Sequence, residues 1–190
     1  MIARTILAAL FLNASVVFAS GAFPELPVVP SVDLNRYLGK WYEVASFPQW
    51  FQKGCTATTA TYSLRPDGTI GVLNECRLER PDGEPKRAEG YAKIDDPVSN
   101  AKLRVTFFWP FFGDYWILEL GPEYSYSVVG HPSRDYLWIL SRTPQLPQAT
   151  LDGILQRVRA QGFDTTRLQY TQHAPAADAA PASAAGMRLP

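Results

Sequence analysis

The sequence predicts an all-β fold, an eight-stranded antiparallel up-and-down barrel with one C-terminal α-helix packed outside and a short final strand. Three observations carry this reading. Eight short runs of alternating or apolar residues follow one another with turn residues between almost every pair. A single stretch with helical spacing comes only after the eighth run. Closure into a barrel is what relieves so many short antiparallel strands of exposed edges.

The first strand opens at Gly39-Lys40-Trp41 and runs to Phe47. Counting by twos puts Trp41, Glu43, Ala45 and Phe47 on one face, with Tyr42, Val44 and Ser46 on the other. Both faces are fairly apolar, which suits a strand facing a lumen on one side and lying partly under a helix on the other. Cys55 opens the second strand, which runs to Leu64. Arg65-Pro66-Asp67-Gly68 is a turn, and Thr69 to Cys76 returns as the third strand. Folding this hairpin brings Cys76 nearly opposite Cys55, within reach of a disulfide. Arg87 to Ile94 carries only small residues, Ala88, Gly90 and Ala92, on one face. Leu103, Val105 and Phe107 alternate with polar neighbours. Pro110 takes Phe108 to Gly113 out of a central strand, so that stretch reads as a loop. Tyr115–Leu120, Tyr124–Val129 and Tyr136–Arg142 complete the eight. Leu151, Ile154, Leu155 and Val158 then mark a helix that stops at Gly162, and Leu168 to Tyr170 adds a last edge strand.

The ends and the composition set the context. Residues 1–22 read as a signal peptide: Arg4, an apolar core, then small residues that allow cleavage after Ala19 or Ala22. The apolar run is too short to span a bilayer. Residues 23–173 form the barrel domain, and the Ala/Pro-rich 174–190 reads as a disordered tail. Lys plus Arg and Asp plus Glu number 18 each, so no field of one sign recruits nucleic acid. Two cysteines in an exported chain favour a Cys55–Cys76 bridge over a free thiol. Neither His131 nor His173 has a spaced second ligand, and no nucleophile elbow or paired-carboxylate motif occurs. The reading is therefore no metal, no cofactor and no catalytic residue.

Gly39-x-Trp41, Pro122-Glu123-Tyr124 and Arg142 together resemble the three signature regions of the lipocalin family, over about Val32 to Thr171. Asp135-Tyr136-Leu137-Trp138-Ile139-Leu140-Ser141-Arg142-Thr143-Pro144 is similar to the bacterial branch related to apolipoprotein D. The second region departs from the common Thr-Asp-Tyr, keeping only the acid and the tyrosine. The resemblance implies a carrier of fatty acids or lysophospholipids, often held at the outer membrane as a lipoprotein. No cysteine precedes Cys55, so the expected state is exported without a lipid anchor, periplasmic or secreted, with peripheral association at the outer membrane left open.

Within that barrel, Gly39, Trp41 and Arg142 meet at the closed end, the guanidinium over the indole face. Extending the alternation gives a ligand-binding set of Phe47, Ala60, Tyr62, Val72, Asn74, Gly90, Val105, Phe107, Tyr115, Ile117 and Trp138, mostly apolar with a few polar groups. Ala45, Ala88, Ala92 and Leu103 count inward too, as does Glu43, whose carboxylate needs a partner. At the open end, Trp50, Phe51, Trp109, Phe111 and Phe112 mark a ligand portal, a membrane-touching rim or a homodimer contact, or else fold inward as a cap. Two other readings stand beside the carrier: an enzyme using Cys55 as nucleophile, since catalysis exists on this fold elsewhere, and an interaction module that dimerises through the rim.

Overall fold

In the computed structural model the described residues are 24–173; the expected signal segment and the Ala/Pro-rich tail lie outside them. Asp33 caps a one-turn helix α1 (Leu34–Tyr37), its side chain accepting from the backbone N–H of Asn35 and Arg36. The reading by alternation did not contain this turn. Eight strands follow: β1 (Gly39–Ser46), β2 (Cys55–Leu64), β3 (Ile70–Leu78), β4 (Pro85–Ile94), β5 (Lys102–Phe108), β6 (Phe111–Leu120), β7 (Tyr126–Gly130) and β8 (Leu137–Ser141). Helix α2 (Gln148–Ala160) and β9 (Gln169–Tyr170) complete the chain. The strands pair in the order β2-β3-β4-β5-β6-β7-β8-β1-β9, and an added β1–β2 pairing closes the barrel.

The alternation breaks at several places, including register shifts in β2 between Thr56 and Thr59 and in β6 between Ile117 and Glu119, and two further departures bear on the expected site. Between Glu43, opposite Leu140, and Ala45, opposite Ile139, β1 carries one extra residue, a β-bulge. Past it the faces exchange. Val44, Ala45 and Phe47 all join the core beneath α2, while Ser46 comes opposite Trp138. The Phe108 to Gly113 stretch is also more ordered than a loop: Phe108 pairs with Phe111, and only Trp109-Pro110 makes the turn. Proline thus ends the β5 ladder as expected, but the chain re-enters a strand at once.

Two cores result. One lies between the barrel wall and α2, where Ile154 and Val158 meet Phe47, Val128 and Ile139. The other fills the closed half of the barrel, where Trp41, Ile117 and Leu103 pack with Tyr37 and Val32. The segment before α1 runs across this end, held by Val29 N–H to the Ile117 carbonyl and Val32 N–H to that of Ser99. Arg142 secures the same end. Its guanidinium lies 3.7 Å from the Trp41 ring centre and donates to the carbonyls of Arg36, Leu38 and Lys40 at 2.6, 3.0 and 2.9 Å.

Candidate ligand cavity

Strand alternation aims side chains from β1, β2, β3, β5, β6 and β8 into a cavity of about 430 Å³ above the packed floor. Of the expected set, Ala60, Tyr62, Val72, Asn74, Val105, Phe107, Tyr115 and Trp138 line it. Three members do not. Phe47 faces α2, its ring against Phe163 and under the Arg167 guanidinium, because the β1 bulge turned it outward. Ile117 is fully buried in the floor core, below the cavity. Gly90 lies beneath the Phe107 ring, and a Cβ there would stand 2.3 Å from the Thr106 carbonyl oxygen; its small size admits a close strand crossing instead of opening space.

Most of the polar groups form two clusters, and Asp114 and His131, 3.6 Å apart, make a third pair in the lining. Near the floor, hydroxyls run in a chain from Ser127 through Tyr37 and Tyr115 to Tyr62, at 3.0, 2.8 and 2.8 Å. Burial pushes all three phenols up, Tyr37 to about 12, so they remain neutral donors and acceptors over ordinary pH. Higher up, the buried Glu43 carboxylate accepts from Gln52 Nε2 at 2.9 Å and from Thr171 Oγ1 at 2.6 Å. Gln52 in turn accepts from the Trp138 indole at 3.4 Å. The anticipated partner of Glu43 is thus an amide and a hydroxyl, and the same bonds fasten the loop that carries Gln52 over the cavity.

The open end is aromatic. Phe51 and Phe112 line the cavity, whereas Trp50 (83% exposed), Trp109 (76%) and Phe111 (78%) stand in solvent. The alternation missed several lining residues. Tyr136, stacked on Trp138, and Leu140 lie two residues to either side of Trp138, so the same count by twos would have found them. Gln52 and His131 come from the covering loop and a turn, where no strand period applies, and Asp114 lies within β6 next to Tyr115, off that face by count. Cys55 and Cys76 are bonded, with their Cα atoms 5.5 Å apart. Neither sulfur is a free thiolate, which removes the ground for a Cys55 nucleophile.

A closed eight-stranded barrel, plugged at one end by an Arg–Trp pair and holding an apolar cavity open at the other, defines a carrier of small hydrophobic molecules. Comparison with known proteins agrees. Residues 32–173 match the model of the lipocalin-like domain family. Temperature-induced lipocalin-1 of Arabidopsis thaliana is 44% identical over 168 residues, covering 84% of this chain and 87% of the relative. The outer membrane lipoprotein Blc of Vibrio cholerae is 46% identical, covering 76% and 84%. Apolipoprotein D of Bos taurus is 34% identical, covering 81% and 84%. Among solved structures, insecticyanin of Manduca sexta superposes with a TM-score of 0.65 at 22% identity over 83% of this chain and 89% of that one, a likeness of fold. The chain belongs to the lipocalin family, whose barrels bind and transport small hydrophobic molecules.

Proposed function

We propose that this lipocalin binds single-chain amphiphiles, fatty acids or lysophospholipids, and carries them in an oxidising compartment outside the cytoplasm. The observation that carries the reading is the cavity's wall: a largely apolar surface built from side chains such as Val72, Val105, Phe107 and Leu140, with polar groups gathered at the floor phenols and around Glu43, Asp114 and His131. Such a wall favours an acyl chain and leaves the ligand's polar end to be satisfied near the mouth. The Cys55–Cys76 bond supports export, since disulfides persist in oxidising compartments. Relatives named as outer membrane lipoproteins support an envelope setting, in which the exposed rim rings would touch the membrane.

Native mass spectrometry of the purified protein, followed by extraction of whatever is bound, tests the ligand class. A co-purified fatty acid or lysophospholipid is the expected result. In titrations with a fluorescent fatty acid, Trp138→Ala and Tyr115→Ala each weaken binding about tenfold, on the order of one lost buried contact. Unchanged affinity in both variants would place the ligand elsewhere. The exposed rings of Trp109 and Phe111 also favour a second reading, a homodimer through the rim. Sedimentation of wild type beside Trp109→Ser/Phe111→Ser decides that point.

A further inference from the structure

The four hydroxyls at the cavity floor hold one more proton than their mutual bonds use. Tyr62 stands opposite Gly39, Tyr115 opposite Leu103 and Ser127 opposite Leu140, while Tyr37 ends α1. Three hydrogen bonds join them, Ser127 to Tyr37, Tyr37 to Tyr115 and Tyr115 to Tyr62. Each O–H donates once, so three protons are used and the fourth points elsewhere. Among the described residues no further acceptor lies within reach of these four oxygens. Burial decides where the fourth proton sits. Ser127 (0% exposed) and Tyr37 (3%) are sealed in the packed core, where an unmatched donor is costly. Tyr62 and Tyr115 line the cavity. The chain is therefore polarised from Ser127 towards the cavity, and one phenol of the Tyr62–Tyr115 pair presents a free O–H to whatever fills it.

We infer that the cavity floor is a subsite for an uncharged oxygen at the inner end of the ligand's chain, of the kind an ω-hydroxy or ω-oxo fatty acid carries. This rests on the amphiphile-carrier reading and adds to it a second polar contact, at the end of the chain away from the acid. The lining sets the charge of that inner group, because it contains no Lys or Arg. A carboxylate brought to the floor would lose its water with no cation to meet it. Burial raises all three phenols, so the floor offers a neutral donor and no charge. A hydroxyl or carbonyl oxygen needs only that one donor. A plain methyl end leaves the donor unmatched, so the floor discriminates by a penalty as well as by a bond. The ligand accordingly lies with its acid towards the mouth and its oxygenated end on Tyr62 and Tyr115.

The test is displacement of a fluorescent fatty acid by saturated acids from decanoate to palmitate, each beside its ω-hydroxy counterpart, with wild type and Tyr62→Phe/Tyr115→Phe. Phenylalanine keeps both rings and removes only the hydroxyls, and matching thermal melts confirm that the variant folds. The quantity read is the ratio of the two affinities at each chain length within one protein, which a general loss of packing does not move. In wild type the ω-hydroxy acid is expected to bind roughly fivefold tighter than the plain acid at the length that reaches the floor, and more weakly at shorter lengths. In the double variant the preference should reverse at that same length, since the hydroxyl is then buried against apolar rings. Should the variant fail to fold, the length dependence in wild type decides alone. Equal or weaker binding of the ω-hydroxy acid at every length, the floor donor then being met by a water only, overturns the subsite and leaves the carrier reading standing. A preference that survives in the double variant also overturns it, because the second oxygen is then held elsewhere. Wild type that binds no acid of either series removes the carrier reading, and the subsite with it.

Discussion

At the scale of single residues, the closed end depends on a few side chains whose roles are hard to exchange. Arg142 offers a planar fork to four backbone carbonyls while covering the Trp41 ring, an arrangement lysine cannot reproduce. Tyr37 donates or accepts at Tyr115 and Ser127 while its own backbone carbonyl accepts from the Trp41 indole at 2.8 Å. The phenols give a pH prediction. Desolvation raises the folded-state pKa of Tyr37 from 10.0 to about 12, and raises Tyr62 and Tyr115 as well. The folded state therefore holds these protons more tightly than the unfolded chain. Their stabilisation is complete below about pH 10 and is lost as pH rises through 10 to 12. Urea midpoints measured from pH 8 to 11.5 should fall above pH 10, and Tyr62→Phe should flatten that fall. A midpoint that ignores pH in this range would show that the phenols are wetter than their burial implies.

At the scale of elements, the two cores separate stability from binding. The side chain of Ile154 on α2 is fully buried in the outer core and takes no part in the cavity wall. Ile154→Ala should cost about 3 kcal/mol, the range for a large aliphatic deletion in a packed core, and leave fatty-acid affinity unchanged. Urea unfolding and a ligand titration on the same sample read the two quantities. A parallel loss of affinity would mean that α2 and the cavity move together. The sequence was legible to the same extent along these elements. The order and number of the barrel strands and the apolar face of α2 followed from periodicity, because a strand's period of two and a helix's of 3.6 are steric facts of the backbone, whereas the one-turn α1 is too short to show one. What periodicity could not reveal was where a period breaks. One extra residue at Val44 removed Phe47 from the lumen, and a shift after Val105 opened the wall beside Gly90. The β1 bulge carries no Gly or Pro to announce it, whereas the β5–β6 shift begins opposite Gly113 and lies beside Pro110, signals that read as a loop. Gln52 and His131 joined the cavity through loops, whose course is set by tertiary contacts such as the bond from Gln52 to Glu43.

At the scale of the whole molecule, the barrel is rigid at one end and assembled from loops at the other, and the Cys55–Cys76 bond sits where these meet. Cys55 directly follows the loop that carries Phe51 and Gln52, and Cys76 lies beside Lys86 on the ladder. The bond therefore ties the exit of the covering loop to β3. The bridged residues are 21 apart in sequence, a loop for which the chain-entropy estimate is about 3 kcal/mol. Cys55→Ser/Cys76→Ser should lower unfolding stability by about that amount. Because the lost tie is at the mouth, it should also speed ligand release more than it slows capture. Urea unfolding gives the first quantity and stopped-flow release of a fluorescent fatty acid the second. An unchanged release rate with lowered stability would show that the covering loop is held by its hydrogen bonds, those to Glu43 and Trp138 among them, and that the bridge acts only on the unfolded chain.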